Sequence, residues 1–247
     1  MPPDVSFEAP FFDEISKYAV RFAVPVIFGD STLEAYSAGL NNGTASLLKL
    51  GDLYLAITCQ HVIEGYRQRK SSSPSTIFQL GTLALDPEAH ILSEDVALDL
   101  AVLNISPFVG TSDDLATARF HSPPRWPPRA VSTKDILCFA GFPGVWREDL
   151  TVGHIRLYTL SSGASPVLSA THDQIVSSVA VEDCVTKIHH GKIIGSLGGM
   201  SGGPVFVWRE GPVLTAELVG FIYEYQDALD LLLIRSANRL AEAGIIV

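Results

Sequence analysis

Cysteine is scarce in this chain, with three in 247 residues, at Cys59, Cys138 and Cys184. An odd, sparse set with no CxxC or Cys/His spacing excludes a disulfide framework and a zinc-binding motif, and leaves room for one isolated bridge at most. Basic charge is short as well. Lysine and arginine number 17 against 27 acidic residues, a formal net charge of −10. Phosphate-backbone binding needs a basic stripe, and none runs through the sequence, so no nucleic-acid partner is expected. The one dense basic cluster, Arg67, Arg69 and Lys70, reads as a solvated helix end. Apolar runs fall well short of the ~20 residues that span a bilayer, so no membrane partner is expected. Residues 1–10 carry neither a basic stretch nor an apolar stretch of signal-peptide type. These absences together predict a soluble protein of a reducing, cytoplasmic compartment.

What is present is apolar content, 47% hydrophobic against 18% charged, enough to exclude a disordered chain. The length suits one domain or two tightly joined lobes, since all-β units run to ~200–250 residues. Short apolar runs broken by turn residues dominate. Residues 19–28 form one run, with Pro25 arguing for an edge or a bulge. Residues 44–50 and 53–58 flank Gly51-Asp52 and read as a hairpin. Further strands are expected over 77–85, 99–105, 135–140, 150–159, 174–181, 203–208, 216–225 and 231–235. Residues 121–130, HSPPRWPPRA, hold four prolines, and a chain so poor in backbone donors and so fixed in φ is an extended connector. Short helices are expected over 13–20 and 61–70, and a terminal one over 236–243 with Ser236 as cap and Gly244 as stop. The expected organisation is an N-terminal extension (1–18), a first β-lobe (19–120), a proline-rich linker (121–130), and a second β-lobe with a terminal helix (131–247).

The sharpest local feature is Gly198-Gly199-Met200-Ser201-Gly202-Gly203-Pro204. Glycines around a serine permit tight turning and close approach, and free successive N–H groups to converge on one point, as an oxyanion hole requires. A glycine-rich turn before a strand is the plain alternative. A serine hydroxyl needs a base to become a nucleophile. His61 follows the apolar run 53–58 directly and precedes a short helix, which places it at a rim. The other histidines read as surface or core residues. The adjacent pair His189-His190 has no third ligand beside it, so no metal site is expected. A carboxylate must orient the imidazole. Asp99 opens a longer apolar strand and is preferred over Asp95, which stays as the rival. The order His, Asp, Ser is one of the three known for this constellation.

With these residues in this order the chain resembles the trypsin-like serine peptidases of chymotrypsin fold, in a disulfide-poor, bacterial-type form. Gly43-Thr44-Ala45-Ser46-Leu47-Leu48 resembles the family's GTGFLV strand, and Thr58-Cys59-Gln60-His61-Val62 its TAAHV motif. Asp99-Leu100-Ala101-Val102-Leu103 resembles DLAVL, and Gly141-Phe142-Pro143-Gly144 a GYPG turn. Gly199 to Pro204 match GxSGGP. The resemblance covers residue 19 to the C-terminus. It implies an all-β fold of two six-stranded antiparallel β-barrels, closed here by the C-terminal helix.

The resemblance further implies a serine endopeptidase working through an acyl-enzyme, with no cofactor and a protein or peptide substrate. Ser201 would be the nucleophile, His61 the general acid/base and Asp99 its orienting group, with the N–H groups of Gly199 and Ser201 as oxyanion hole. Substrate would be bound along residues 219–225, with Tyr223, Glu224 and Tyr225 beside a pocket that includes Gly195. Glu224, Asp227 and Asp230 would then either favour a basic residue or form a solvated acidic loop. Relatives with disulfides carry cysteine where Val62 and Leu197 stand here. Relatives activated by cleavage carry an aspartate where Met200 stands, and begin with IVGG, which this chain lacks. The usual zymogen switch is therefore absent, and the chain is either competent as made or controlled from outside, for instance by a regulatory protein partner. The competing function is a protease-fold binding module, silent or gated by its partner. An α/β-hydrolase would need the order Ser, Asp, His and alternating helices.

Overall fold

A computed structural model of the chain describes residues 9–30, 39–115, 118–151, 154–179, 185–186 and 197–247. The architecture is mostly β, in two sheets of seven strands. The first is built from β1 (Ala23–Asp30), β2 (Asn41–Leu50), β3 (Leu53–Thr58), β4 (Thr76–Leu80), β5 (Leu83–Leu85), β6 (Ile91–Asp95) and β7 (Leu100–Asn104), in the order β5-β4-β1-β2-β3-β7-β6. Its two edge strands do not pair among the described residues, so this lobe is an open half-barrel rather than the closed six-stranded barrel expected. Pro25 lies inside the sheet opposite Thr44. The N–H of Thr44 goes to Ser201 O at 2.9 Å, so that pair makes no ladder bond that proline would break.

The second sheet comprises β8 (Ile136–Gly141), β11 (Leu160–Ala170), β12 (Gln174–Ser178), β13 (Val185–Thr186), β14 (Pro204–Arg209), β15 (Thr215–Gln226) and β16 (Leu231–Ser236). Its order is β12-β16-β15-β14-β8-β11-β13, and β12 pairs also with β11. That extra pairing closes six of the strands into a barrel and removes their edges. A separate ribbon pairs β9 (Arg147–Thr151) with β10 (His154–Leu157), so the strand expected over 150–159 is a hairpin. Helix α1 (Ala9–Tyr18) continues into a 3-10 turn, Ala19–Phe22, and α2 (Gln60–Ser72) follows β3. No helix among the described residues is long and apolar enough to cross a membrane.

Three apolar clusters hold this together. Val26, Leu47, Ala56, Phe78 and Leu103 fill the first lobe, and Leu137, Phe139, Val205, Val219 and Ile234 fill the barrel. The third joins the lobes, packing Leu48, Leu55 and Val102 of the first sheet against Cys138, Phe206 and Phe221 of the second. Ile15 and Ala19 of the α1 segment belong to it, and Cys138 Sγ donates to Ile15 O at 3.0 Å. The segment 121–130 is not a free tether. His121 exchanges backbone bonds with Leu47 O (3.0 Å) and Lys49 N (2.8 Å), and its buried ring meets Phe22 and Phe206 edge-on. Trp126 Nε1 donates to Leu240 O at 2.8 Å.

The expected C-terminal helix does not form. Ser236 caps a single 3-10 turn, Ala237–Arg239, by accepting from Asn238 N. The chain then folds back, with Ala241 N bonded to Ile245 O (2.8 Å) and Leu240 bridged to Ile246. A helix there would withdraw Leu240 from the inter-lobe core in which it is buried, and that burial outweighs a modest helix preference. β11 escaped sequence reading because its buried positions are small and polar, with Ser161, Ser162 and Ser165 buried. Helix α1 crosses close above it, and a side chain at Gly163 would meet Ser16 Oγ.

Candidate active site

The site lies where the half-barrel meets the closed barrel. β3 ends at Thr58, and Cys59 in an extended conformation precedes α2. His61 is therefore in the first turn of α2, where backbone N–H groups have no helical partner and the helix dipole is positive. Asp99 supplies what that end lacks. Its Oδ1 accepts from the His61 backbone N–H at 2.9 Å, and its Oδ2 lies 2.7 Å from His61 Nδ1. One carboxylate thus caps the helix and fixes the imidazole, leaving Nε2 free to face the cleft.

Asp99 reaches this position through an uncommon backbone. Its φ is +52°, a left-handed value that aspartate tolerates better than most residues. Asp95 makes the turn that produces it: its Oδ1 accepts from Leu98 N at 2.8 Å, and it does not contact His61. Arg235 reaches across from the barrel, donating from Nε to Leu98 O at 2.7 Å with its guanidinium 4.5 Å from the Tyr223 ring centre. The His61 side chain is 52% exposed and that of Asp99 23%, so the pair forms the rim of the cleft.

Ser201 comes from the second lobe, in the turn before β14. His61, Gly199 and Ser201 line one cleft of about 470 Å³, together with Asn42 and residues of α2. Ser201 O accepts from Thr44 N, Gly202 N donates to Ile222 O (2.7 Å) and Ser46 Oγ donates to Gly202 O (2.7 Å). Gly202 has φ +94°, and a Cβ there would strike Thr44 O, so strand β2 presses directly on the serine turn.

Gly199 is held from both sides. The carbonyl of Gly198 accepts from Gly144 N at 2.7 Å. Because the peptide is trans, the Gly199 N–H on its other edge points away from that loop. The Gly199 carbonyl accepts from Thr44 Oγ1 at 2.7 Å, and the same hydroxyl accepts from Phe142 N at 3.0 Å. Asn42 Nδ2 donates to Phe142 O at 2.9 Å. Gly199 has φ +100°, and a Cβ would lie 2.3 Å from Asn42 Nδ2 and 2.6 Å from Phe142 O. Neither Gly199 N–H nor Ser201 N–H bonds to any group among the described residues. Met200, between them, is buried in the barrel core against Leu137 and Phe139.

Cys59 Sγ, His61 and Asp99 lie within 4.8 Å of one another. His61 Nδ1 and both Asp99 carboxylate oxygens are already engaged with one another or with the His61 N–H. The Cys59 thiol donates to Ile222 O at 3.3 Å, and burial, with the Asp99 charge adding to it, pushes its pKa well above the ordinary range. The free thiol stays protonated at neutral pH. Cys138 is likewise a buried free thiol, and Cys184 lies outside the described residues.

The residues expected to bind substrate fare differently. Gly195 lies outside the described residues, as do His189 and His190. Tyr223, Glu224 and Tyr225 are on β15. The Tyr223 hydroxyl accepts from Gln174 Nε2, and its ring lies under Arg235. Glu224 is exposed, and Tyr225 donates to Asp230 Oδ1 at 2.9 Å. β14 begins opposite Phe221, so among the described residues β15 beyond Ile222 pairs only with β16 and keeps one edge unpaired. Sequence reasoning missed Asn42, Thr44 and Arg235. Their roles arise from contacts between lobes, which carry no local signal.

No protein-family model matches this sequence, and no curated protein matches it. Among solved structures, the chain is similar to the thermostable serine protease AL20 from an extremophilic microorganism, at 12% identity over 87% of this chain and 91% of that one, with a TM-score of 0.47. It is similar to a Glu endopeptidase at 12% identity, over 86% of this chain and 84% of that one, with a TM-score of 0.43. A catalytically inactive tobacco etch virus protease complexed with substrate matches at 10% identity, over 86% and 77%, with a TM-score of 0.43.

Proposed function

We propose that the chain is a serine endopeptidase of trypsin-like type. The observation that carries the reading is the double grip of Asp99 on His61, at Nδ1 and at the backbone N–H, in a cleft that Ser201 also lines. In this reading His61 Nε2 takes the proton of Ser201 Oγ as that oxygen attacks the scissile carbonyl, and Asp99 stabilises the imidazolium. The free N–H groups of Gly199 and Ser201 receive the developing oxyanion, a contribution of ~3–4 kcal/mol for one such donor. His61 then protonates the leaving amine, and water, activated by the same imidazole, hydrolyses the acyl-enzyme. The acyl side of an extended peptide would add as a strand to the unpaired edge of β15 at Tyr223, Glu224 and Tyr225.

The chain in this reading needs no N-terminal cleavage. Where relatives use a new N-terminus paired with an aspartate, this chain buries Met200 and pins both peptides flanking Gly199 from Gly144 and Thr44. The test is a fluorophosphonate probe on the full-length protein as made. Labelling of wild type, lost in Ser201→Ala and strongly slowed in His61→Ala, is expected. A wild type that stays unlabelled under every activating condition overturns the reading and favours a protease-fold binding module. Labelling only after N-terminal cleavage overturns the claim of competence alone.

A further inference from the structure

The cleft does not end at Ser201. It continues along one face of α2, past Val62 and Gly65 to Gln68, Arg69 and Ser72. No residue of β15 lines it. If the acyl side of a substrate lies along β15, this stretch receives the leaving-group side. That assignment rests on the peptidase reading.

We infer that Arg69 makes this stretch a subsite for a carboxylate on the leaving-group side of the scissile bond. The three basic residues of α2 have different fates. Arg67 is saturated by Glu88 and Glu94, at 2.8 and 3.0 Å, with Glu64 at 3.7 Å. Lys70 donates to Thr76 O at 2.8 Å. Arg69 has no side-chain partner among the described residues, and its Nε is buried without one. Arg69 is half-buried on the cleft wall, and a guanidinium with no anionic partner there is available to an acceptor that arrives with the ligand. Asp99 at the rim is engaged by His61, and no aspartate or glutamate among the described residues lines the stretch along α2, so Arg69 is the fixed charge described there. In a chain of net charge −10 this is a local positive spot in an acidic protein. Proximity to the C-terminus of α2 favours a cation there but does not satisfy the directional N–H groups of a guanidinium, which match a carboxylate in paired geometry.

The helix sets the distance. From His61 to Arg69 is eight residues, or ~12 Å along the axis at ~1.5 Å each. An extended peptide advances ~3.3 Å per residue, and the arginine side chain leans back toward the helix N-terminus. The carboxylate therefore belongs to about the second to fourth residue after the scissile bond. An Asp or Glu side chain at those positions, or a chain end falling there, presents the same chemistry.

Acyl transfer tests this without a known substrate. The full-length protein is acylated at Ser201 by a p-nitrophenyl ester, and tetrapeptide amides compete with water for the acyl group. The acceptor's amine attacks the ester carbonyl, the bond to Oγ breaks, and the amine's proton passes through His61 to Oγ, giving an amide and free enzyme. Acceptors carry Glu, Gln or Lys at the second, third or fourth position, and a neutral peptide with a free C-terminal carboxylate separates the two carboxylate sources. Either a Glu acceptor or the free-carboxylate one is expected to be captured about tenfold better than its neutral counterpart, as for a charge-assisted hydrogen bond. The preference should disappear in Arg69→Gln and turn toward Lys in Arg69→Glu. An acyl-enzyme that prefers neither the Glu nor the free-carboxylate acceptor over its neutral counterpart, or a preference that survives Arg69→Gln, overturns the subsite. Failure to form any acyl-enzyme overturns the peptidase reading and the subsite with it.

Discussion

Thr44→Val is the sharpest test of how the glycine–serine turn is held and of the oxyanion role proposed for it. Thr44 is fully buried, and valine reproduces its shape without the hydroxyl. The variant loses the 3.0 Å bond from Phe142 N and the 2.7 Å bond to Gly199 O. The Phe142 N–H is left buried and unpaired, and the Gly199 carbonyl is partly so. At ~1–3 kcal/mol for a buried orphan and somewhat less for a half-buried one, the loss of stability is about 2–4 kcal/mol. In a chain of this size ~1 kcal/mol lowers the melting temperature by ~2–4 °C, so a fall of roughly 5–15 °C is expected. Catalysis should suffer separately. The Gly198 carbonyl keeps its bond to Gly144 N, so the Gly199 N–H is loosened rather than removed. A full donor is worth about 10²–10³ in kcat, and its partial loss predicts a fall of about tenfold to hundredfold. KM should stay within about threefold, because the oxyanion forms only after binding. Thr44→Ser keeps both bonds and gives up one methyl, so its kcat should match wild type, with a loss of about 1 kcal/mol. The assay is burst titration of active sites with steady-state kinetics on the correctly folded fraction. A valine variant as active as the serine variant refutes the reasoning, whatever its melting temperature.

Asp99→Asn keeps an acceptor for the His61 backbone N–H but removes the charge facing Nδ1, and kcat is expected to fall by about 10⁴-fold. Asp95→Ala frees only Leu98 N, so it should lose about 1 kcal/mol of stability and less than about tenfold in kcat. The reverse ranking in a kinetic comparison would make Asp95 the orienting carboxylate. His121 supplies a prediction in pH. Burial lowers its pKa from 6.5 to about 4, so between those values the unfolded chain binds a proton that the folded chain refuses. Its contribution is complete above pH 6.5 and is lost as pH falls toward 4, by about 3 kcal/mol in all. Denaturation series over that range should show this slope in wild type and its loss in His121→Leu. Equal slopes in the two proteins would remove His121 as the cause.

The parts of this molecule that sequence disclosed are those whose chemistry is local. Gly199, Ser201 and Gly202 stand together because one turn must carry a serine, two free N–H groups and a backbone pressed against β2, and that demand is written in seven consecutive residues. His61 and Asp99 stood out as candidates for a similar reason, as each sits where a strand meets a helix or a turn. What sequence hid is how the two lobes hold that turn. Thr44 reads as one more β residue in an apolar strand, yet its hydroxyl joins Gly199 to Phe142. Arg235 reads as the end of a strand, yet it grips the carbonyl beside Asp99 from the other lobe. Met200 reads as a departure from the resemblance, and only the structure shows that it is buried in the barrel core with Leu137 and Phe139. The errors have the same origin. β11 lacks the apolar alternation of a strand because α1 lies too close above it for bulk, and the tail abandons its helix because Leu240 is needed between the lobes. Local pattern is decisive where a residue serves its own element. It fails where the residue serves the interface, and here the interface is what sets the geometry around Ser201.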